Sequence, residues 1–262
     1  MTWQLEKQYF DLQTPDGRLL IGYRAAFGRS LWRVGYGACL RKEPGRPAET
    51  RQSLHTGAMV RTDDGAEWRN SALDLTGRWE VRRDPAPELT LDHPEGQIRW
   101  RVGGAAVPAR IDIADGQPLT GIGYWETLTM TLAPWRLPFP ELRWGRFLAD
   151  NGRDYLIWVG WLGGEKEEKS LWSESGRTPG PPVFAEEGLR YQGGRLNFLS
   201  SEVIRSGPLF KSLAGRGGRL AGLLPGGLGR ALEHKWFSRA RRLDADGRSL
   251  DGWAVHEVVY WR

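Results

Sequence analysis

The 262-residue chain has one cysteine, Cys39, so no disulfide can form within it and a four-cysteine zinc site is excluded. Histidine is nearly as scarce: His55, His93, His234 and His256 lie far apart in sequence. "HEVVY" at His256–Tyr260 lacks the second histidine of a zinc-protease helix, and the alternation of Val255, Glu257 and Val259 suits a strand. No metal is expected. There is no Gly-Lys-Ser/Thr phosphate loop, no strand-to-helix dinucleotide fingerprint and no Gly-x-Ser-x-Gly elbow, so no cofactor is expected either. No run is apolar for long enough to cross a bilayer, and "MTWQLEKQYFDL" lacks the basic start and apolar stretch of a signal peptide. The expected location is cytoplasmic. The net charge of +5 is spread along the chain rather than gathered in a stripe. "RARR" at Arg239–Arg242 reads as the solvated tip of a strand or turn, and nucleic acid is not an expected partner.

What the chain does have is 14 tryptophans, 35 glycines and 16 prolines. Trp is large, stiff and costly to leave in water, so many of these rings should line a core or a cavity. Glycine and proline at this density favour frequent turns over long helices. "QYFDLQTPDGRLLIGY" reads as strand, Pro-Asp-Gly turn, strand. The pattern returns around Asp63-Asp64-Gly65, Asp150-Asn151-Gly152 and Asp246-Gly247. Strands so regularly spaced predict an all-β fold of hairpins closed into sandwiches or barrels. "PDGRLLIGY" near the start resembles "ADGRSLDGW" near the end, which common turn chemistry largely explains. A boundary is expected near Asp115–Thr120, giving domains of residues 1–118 and 119–262. The polar run Gly163–Pro182 reads as an exposed loop. Ser212–Trp236 is too glycine-interrupted for a stable helix. It suits a flexible lid, a surface-seeking loop with transient membrane-surface contact, or ordinary irregular structure.

One acidic residue stands out. In Gly123-Tyr124-Trp125-Glu126 a strand sends Tyr124 and Glu126 to one face and Trp125 to the other. A carboxyl held among aromatic rings is desolvated and keeps its proton to higher pH, which suits an acid catalyst. Ring faces nearby would stabilise a developing cation. The competing reading is structural: Glu126 pairs with Arg136, Arg143 or Arg146, since buried charges need partners. Glu257 poses the same question, with the structural reading favoured.

"GIGYWE" followed by Trp135-x-Leu137-Pro138 and Trp144-Gly145-Arg146-Phe147 resembles the linking segment of the tandem lipocalin-like proteins. That family includes carotenoid 1,2-hydratase (hydroxyneurosporene synthase), AttH-type proteins, tocopherol-cyclase-like proteins and some fungal pericyclases. "YFDLQTPDGRLLIGY" is similar to the family's opening hairpin, and "RRLDADGRSLDGWAVHEVVYW" to its last. The resemblance implies two lipocalin-like β-barrel domains in tandem, of the calycin type, with an apolar ligand cavity. It places Tyr124, Trp125 and Glu126 at the segment linked to acid function in the hydratase. The chain departs from that pattern in having Glu126 where a Tyr/Trp-x-Asp-His type of segment stands. It also has Gln8-Tyr9 where the opening strand has paired tryptophans. The fold therefore carries over, and the hydratase activity does not follow from it.

Three functions remain open. The first is cofactor-independent hydration, cyclisation or isomerisation of an isoprenoid- or polyketide-like molecule, with Glu126 as acid and Tyr124, Trp125, Trp135 and Trp144 shaping the cavity. The second is a carrier or sensor of a hydrophobic small molecule. The third is a structural protein whose barrels are filled by side chains. The oligomeric state is not set by the sequence.

Overall fold

The computed structural model describes residues 3–29, 32–81, 86–114, 116–208 and 231–261. The segment 212–230, read above as lid or surface-seeking loop, lies outside them, as does Asp115. The chain divides into two compact units, Met1–Arg136 and Leu137–Arg262.

Unit 1 is one antiparallel sheet of ten strands: β1 (Trp3–Gln13), β2 (Leu19–Arg29), β3 (Trp32–Lys42), β4 (Glu49–Ser53), β5 (Ala58–Thr62), β6 (Gly65–Asn70), β7 (Leu75–Glu80), β8 (Glu88–His93), β9 (Gly96–Ile113) and β10 (Leu119–Met130). The hydrogen-bonded order is β4-β3-β2-β1-β10-β9-β7-β6-β5, with β8 added on β9. Unit 2 holds nine strands: β11 (Glu141–Ala149), β12 (Tyr155–Leu162), β13 (Glu168–Ser173), β14 (Gly176–Arg177), β15 (Val183–Ala185), β16 (Gly188–Tyr191), β17 (Gly194–Pro208), β18 (Leu232–Asp244) and β19 (Ser249–Tyr260). Their order, β14-β13-β12-β11-β19-β18-β17-β16-β15, repeats the plan of the first sheet: a meander on each side, joined by pairing the first strand with the last. Both sheets are curled, as in lipocalin-like domains. The similar Asp-Gly-Arg turns do not mark this repeat. One joins β1 to β2 and the other β18 to β19, yet both close with the same pair of backbone bonds, Thr14 N to Arg18 O with Gly17 N to Thr14 O, and Asp244 N to Arg248 O with Gly247 N to Asp244 O. Their likeness is turn chemistry.

The expected boundary is corrected by this topology. Gly116–Pro118 is a hairpin turn, with Gly116 N bonded to Ile113 O, and Leu119–Met130 becomes a central strand between β1 and β9. The division falls instead after Arg136, where Pro134, Pro138 and Pro140 cannot donate to a ladder. The Gly163–Pro182 run is also not all loop, since it contains β13 and β14.

The core of unit 1 gathers Phe10, Leu12, Leu20, Trp68, Trp79, Ile111 and Trp125. Phe10 stacks on Trp68 with ring centroids 5.7 Å apart and lies 4.8 Å from Trp79. β2 and β6 are distant in the order, and they meet because Gly22 leaves the space that Trp68 occupies. Cys39 belongs to this core, where burial pushes its thiol up to about 12, so it serves as a small apolar residue. Unit 2 has its own core of Phe147, Leu156, Trp158, Leu171, Leu196 and Ala254.

Opposite Tyr124-Trp125-Glu126, β9 carries register shifts between Gly123 and Tyr124 and between Trp125 and Glu126. The residues of β9 left over are Ala106, which adopts φ 51°, and Gly103. Such bulges bend a strand and re-aim its neighbours' side chains. A methyl group on Gly103 would stand 2.1 Å from the Trp125 ring. Gly103→Ala is expected to cost about 1–3 kcal/mol by overpacking, read as a lower denaturant midpoint. An unchanged midpoint would show that Trp125 does not rest on that strand.

Candidate functional site

β1 and β10 pair antiparallel with Tyr9 opposite Glu126, Phe10 opposite Trp125 and Asp11 opposite Tyr124. Directly opposed residues share a face. Phe10 and Trp125 therefore enter the core together, while two phenols and two carboxyls meet on the other face. The four are deeply buried, from 0% exposed for Asp11 and Tyr124 to 6% for Glu126. Tyr9 donates its hydroxyl to Asp11 Oδ2 at 2.9 Å, and Tyr124 donates to Glu126 Oε2 at 2.5 Å. Trp100 Nε1 donates to the same Oε2 at 2.6 Å. The Tyr9 ring packs edge-on to Tyr23 at 5.4 Å and Tyr124 at 6.0 Å. Trp79 Nε1 donates to the Asp11 carbonyl at 2.6 Å, which ties the core to this strand.

The expected site residues separate into distinct places. Tyr124 and Glu126 are joined directly. Trp125 points away from them, into the core, with the Arg61 guanidinium 5.4 Å from its ring centre. Trp135 sits in the short 3-10 turn Pro134–Arg136 and packs edge-on to Trp3 at 5.0 Å. Trp144 belongs to unit 2, opposite Glu257 in the β11–β19 ladder. Of the arginines considered for Glu126, Arg136 lies 3.5 Å from Glu95 and Arg143 lies 2.5 Å from Glu141. Arg146, in unit 2, is fully buried and donates to the Trp253 carbonyl at 3.0 Å.

Sequence reasoning passed over Tyr9, Asp11 and Trp100. Yet "YFD" at Tyr9–Asp11 and "YWE" at Tyr124–Glu126 are the same triplet of phenol, aromatic ring and acid. That repetition was the signal.

Unit 2 buries a second set of charges. Lys235, 1% exposed, forms ion pairs with Glu257 and, at 3.4 Å, with Glu233. Arg205 reaches Glu233 at 2.8 Å, and the Lys235 ammonium lies 5.6 Å from the Trp144 ring centre. Desolvation pushes the Glu233 carboxyl up, with Glu257 adding to it and Lys235 and Arg205 opposing. Two cations and two carboxylates balance, so this cluster serves buried pairing. On the other face of β19, the His256 ring is stacked between Phe198 at 4.0 Å and Trp236 at 5.2 Å. Its Nε2 shares a hydrogen with Ser238 Oγ at 2.9 Å.

Burial pushes the His256 imidazole down to about 3. The folded protein therefore refuses a proton that the unfolded chain accepts below pH 6.5. The resulting stability is complete above that value and is lost as pH falls towards 3. His256→Phe keeps a stacking ring without the titration. Its unfolding midpoint is expected to vary less than that of the wild type across this range, and an equal slope would assign the dependence to other groups.

Among the described residues, two cavities of unit 1 bear on the site. One, of 720 Å³, is lined by Trp79 and by charges of both signs, among them Asp64, Glu67, Arg69 and Arg78. The other, of 410 Å³, is lined by Trp125, Arg61, Arg101, Val81, Val102 and Gly103 among others. Neither is lined by Glu126. Among the described residues no three His, Cys, Asp or Glu side chains gather as a metal site requires, and no helix is long and apolar enough to cross a membrane.

Three solved structures share the fold over 98% of this chain. CghA, crystallised with Sch210972, is 10% identical with a TM-score of 0.56, over 88% of that chain. An AttH-type protein, NE1406 from Nitrosomonas europaea, is 14% identical with a TM-score of 0.53, over 92% of its length. Kievitone hydratase from Nectria haematococca is 9% identical with a TM-score of 0.52, over 88%. The tandem lipocalin-like fold read from the opening, middle and closing motifs is the fold observed. No family model and no curated sequence matches the chain.

Proposed function

We propose that the protein is a cofactor-independent enzyme of hydratase or cyclase type, acting on an apolar, unsaturated molecule of isoprenoid or polyketide kind, with Glu126 as the acid. The observation that carries this reading is the buried carboxyl of Glu126, whose Oε2 accepts from both Tyr124 and Trp100. In this reading Oε1 carries the transferable proton, and Oε2, which accepts from two donors, takes up the charge left behind. In the step proposed, Oε1–H protonates a carbon–carbon double bond, and its O–H electrons stay on the carboxylate. The faces of Tyr9 and Tyr124 stabilise the cation formed. Water, or a second double bond of the same molecule, then supplies electrons to that cation, and a proton returns to Glu126. The phenol and indole donors are already aimed at the oxygen that gains charge, so little reorganisation accompanies the transfer. Fold likeness to a hydratase and to CghA supports this class of chemistry.

The test is extraction of protein purified from its native cells, followed by mass spectrometry of the bound molecules, with Glu126→Gln and Tyr124→Phe alongside. The wild type is expected to carry a product equal in mass to its substrate, or heavier by one water. Glu126→Gln should hold unconverted substrate, and Tyr124→Phe should turn over about 10²-fold or more slowly, the usual scale for losing one positioned donor. The same molecule, unchanged, in both wild type and Glu126→Gln would sink the acid role.

A second reading, a carrier of a hydrophobic small molecule, is favoured by one observation. The cavity beside Trp125 has an apolar wall and, among the described residues, no carboxylate in its lining.

A further inference from the structure

The rows of unit 1 change character from one level to the next. Gly22, Phe10, Trp125 and Gly104 are aligned across β2, β1, β10 and β9, and this row is apolar. Two residues along β1 towards its start, the row is Arg24, Gln8, Thr127 and Arg101. Residues two apart on a strand share a face, so a polar, basic row sits directly beside the aromatic one. Arg61 of β5 joins it, donating to Thr127 Oγ1. Arg24 donates to Gln8 Oε1 at 2.7 Å, while its Nε is buried without a partner.

The 410 Å³ cavity lies at this junction, within the size range of small-molecule sites. Arg61 and Arg101 are the ionisable residues that line it among the described residues. Neither forms an ion pair among the described residues. Glu88, across the strand from Arg101, is taken by Arg99 at 2.7 Å. Desolvation lowers the Arg61 pKa; Glu6 opposes this, and Arg101 and Arg24 add to it by repulsion. The larger cavity nearby is different, since Glu67 already holds both Arg69 and Arg78.

We propose that the Trp125 cavity binds a free apolar carboxylic acid, with the carboxylate between Arg61 and Arg101 and the hydrocarbon against Trp125, Val81 and Val102. The anion offsets the repulsion among the arginines and accepts charge-assisted hydrogen bonds. The chain of the ligand covers the apolar wall. This inference rests on the carrier reading of that cavity and is independent of any acid role for Glu126.

Titration calorimetry of the full chain with dodecanoate and with dodecan-1-ol, below their aggregation limits, tests both. The acid is expected to bind about tenfold or more tightly than the alcohol, with the gap narrowing as salt is added. Arg61→Met and Arg101→Gln should each weaken dodecanoate by about tenfold and leave dodecan-1-ol unchanged. Thermal unfolding of each variant checks that it is folded, and Arg101→Gln at the exposed rim keeps the test open if Arg61→Met is not. Equal affinity for acid and alcohol, or dodecanoate binding indifferent to both arginines, would overturn the carboxylate site while leaving the carrier reading standing. Binding of neither probe would overturn both.

Discussion

The pairing of β1 with β10 is the contact on which unit 1 depends. It joins the two meanders into one sheet, and it sets two like triplets, Tyr-Phe-Asp and Tyr-Trp-Glu, face to face. The period of two does the rest. One step of the ladder sends Phe10 and Trp125 into the core, and the steps on either side bring a phenol opposite a carboxyl. A slip of one residue would put the acids in the apolar core and the rings on the face of the phenols and carboxyls, so register is specified strongly here. The bulges at Gly103 and Ala106 accommodate the large indole without disturbing that register.

The two units bury acidic groups by different means. Within unit 1, Asp11 and Glu126 receive hydrogen bonds from phenol and indole groups, which are neutral donors. In unit 2, Glu233 and Glu257 lie against Lys235 and Arg205. Cation pairing fixes charge in place and makes a robust element of structure. Phenol and indole donors satisfy a carboxyl's lone pairs without bringing a charge of opposite sign. The same fold thus holds buried acids in two chemical settings.

The all-β class was legible because Asp-Gly turns and alternating aromatics recur along the chain, and those are local signals. Tyr124 and Glu126 on one face and Trp125 on the other also follow from strand period alone. The boundary was misread because a hairpin turn and an interdomain linker use the same glycine and proline chemistry. Only long-range pairing of Leu119–Met130 distinguishes them. Trp135 and Trp144 were grouped with Glu126 by nearness in sequence, whereas the structure assigns Trp144 to the second sheet. Asp11 was more than a hundred residues from Glu126 in the chain, so nothing local linked them.

First-to-last pairing also has a consequence for how the protein is made. Leu5 meets Met130, so the central ladder of unit 1 has very high contact order and its closure comes late. On the ribosome, β1 to β4 emerge as a meander whose leading strand has an unpaired edge until β10 has cleared the exit tunnel. That edge carries Tyr9, Phe10 and Leu12, and an open apolar edge invites pairing with another chain. The same contact that assembles the acidic quartet therefore makes synthesis of the first unit the stage most exposed to aggregation.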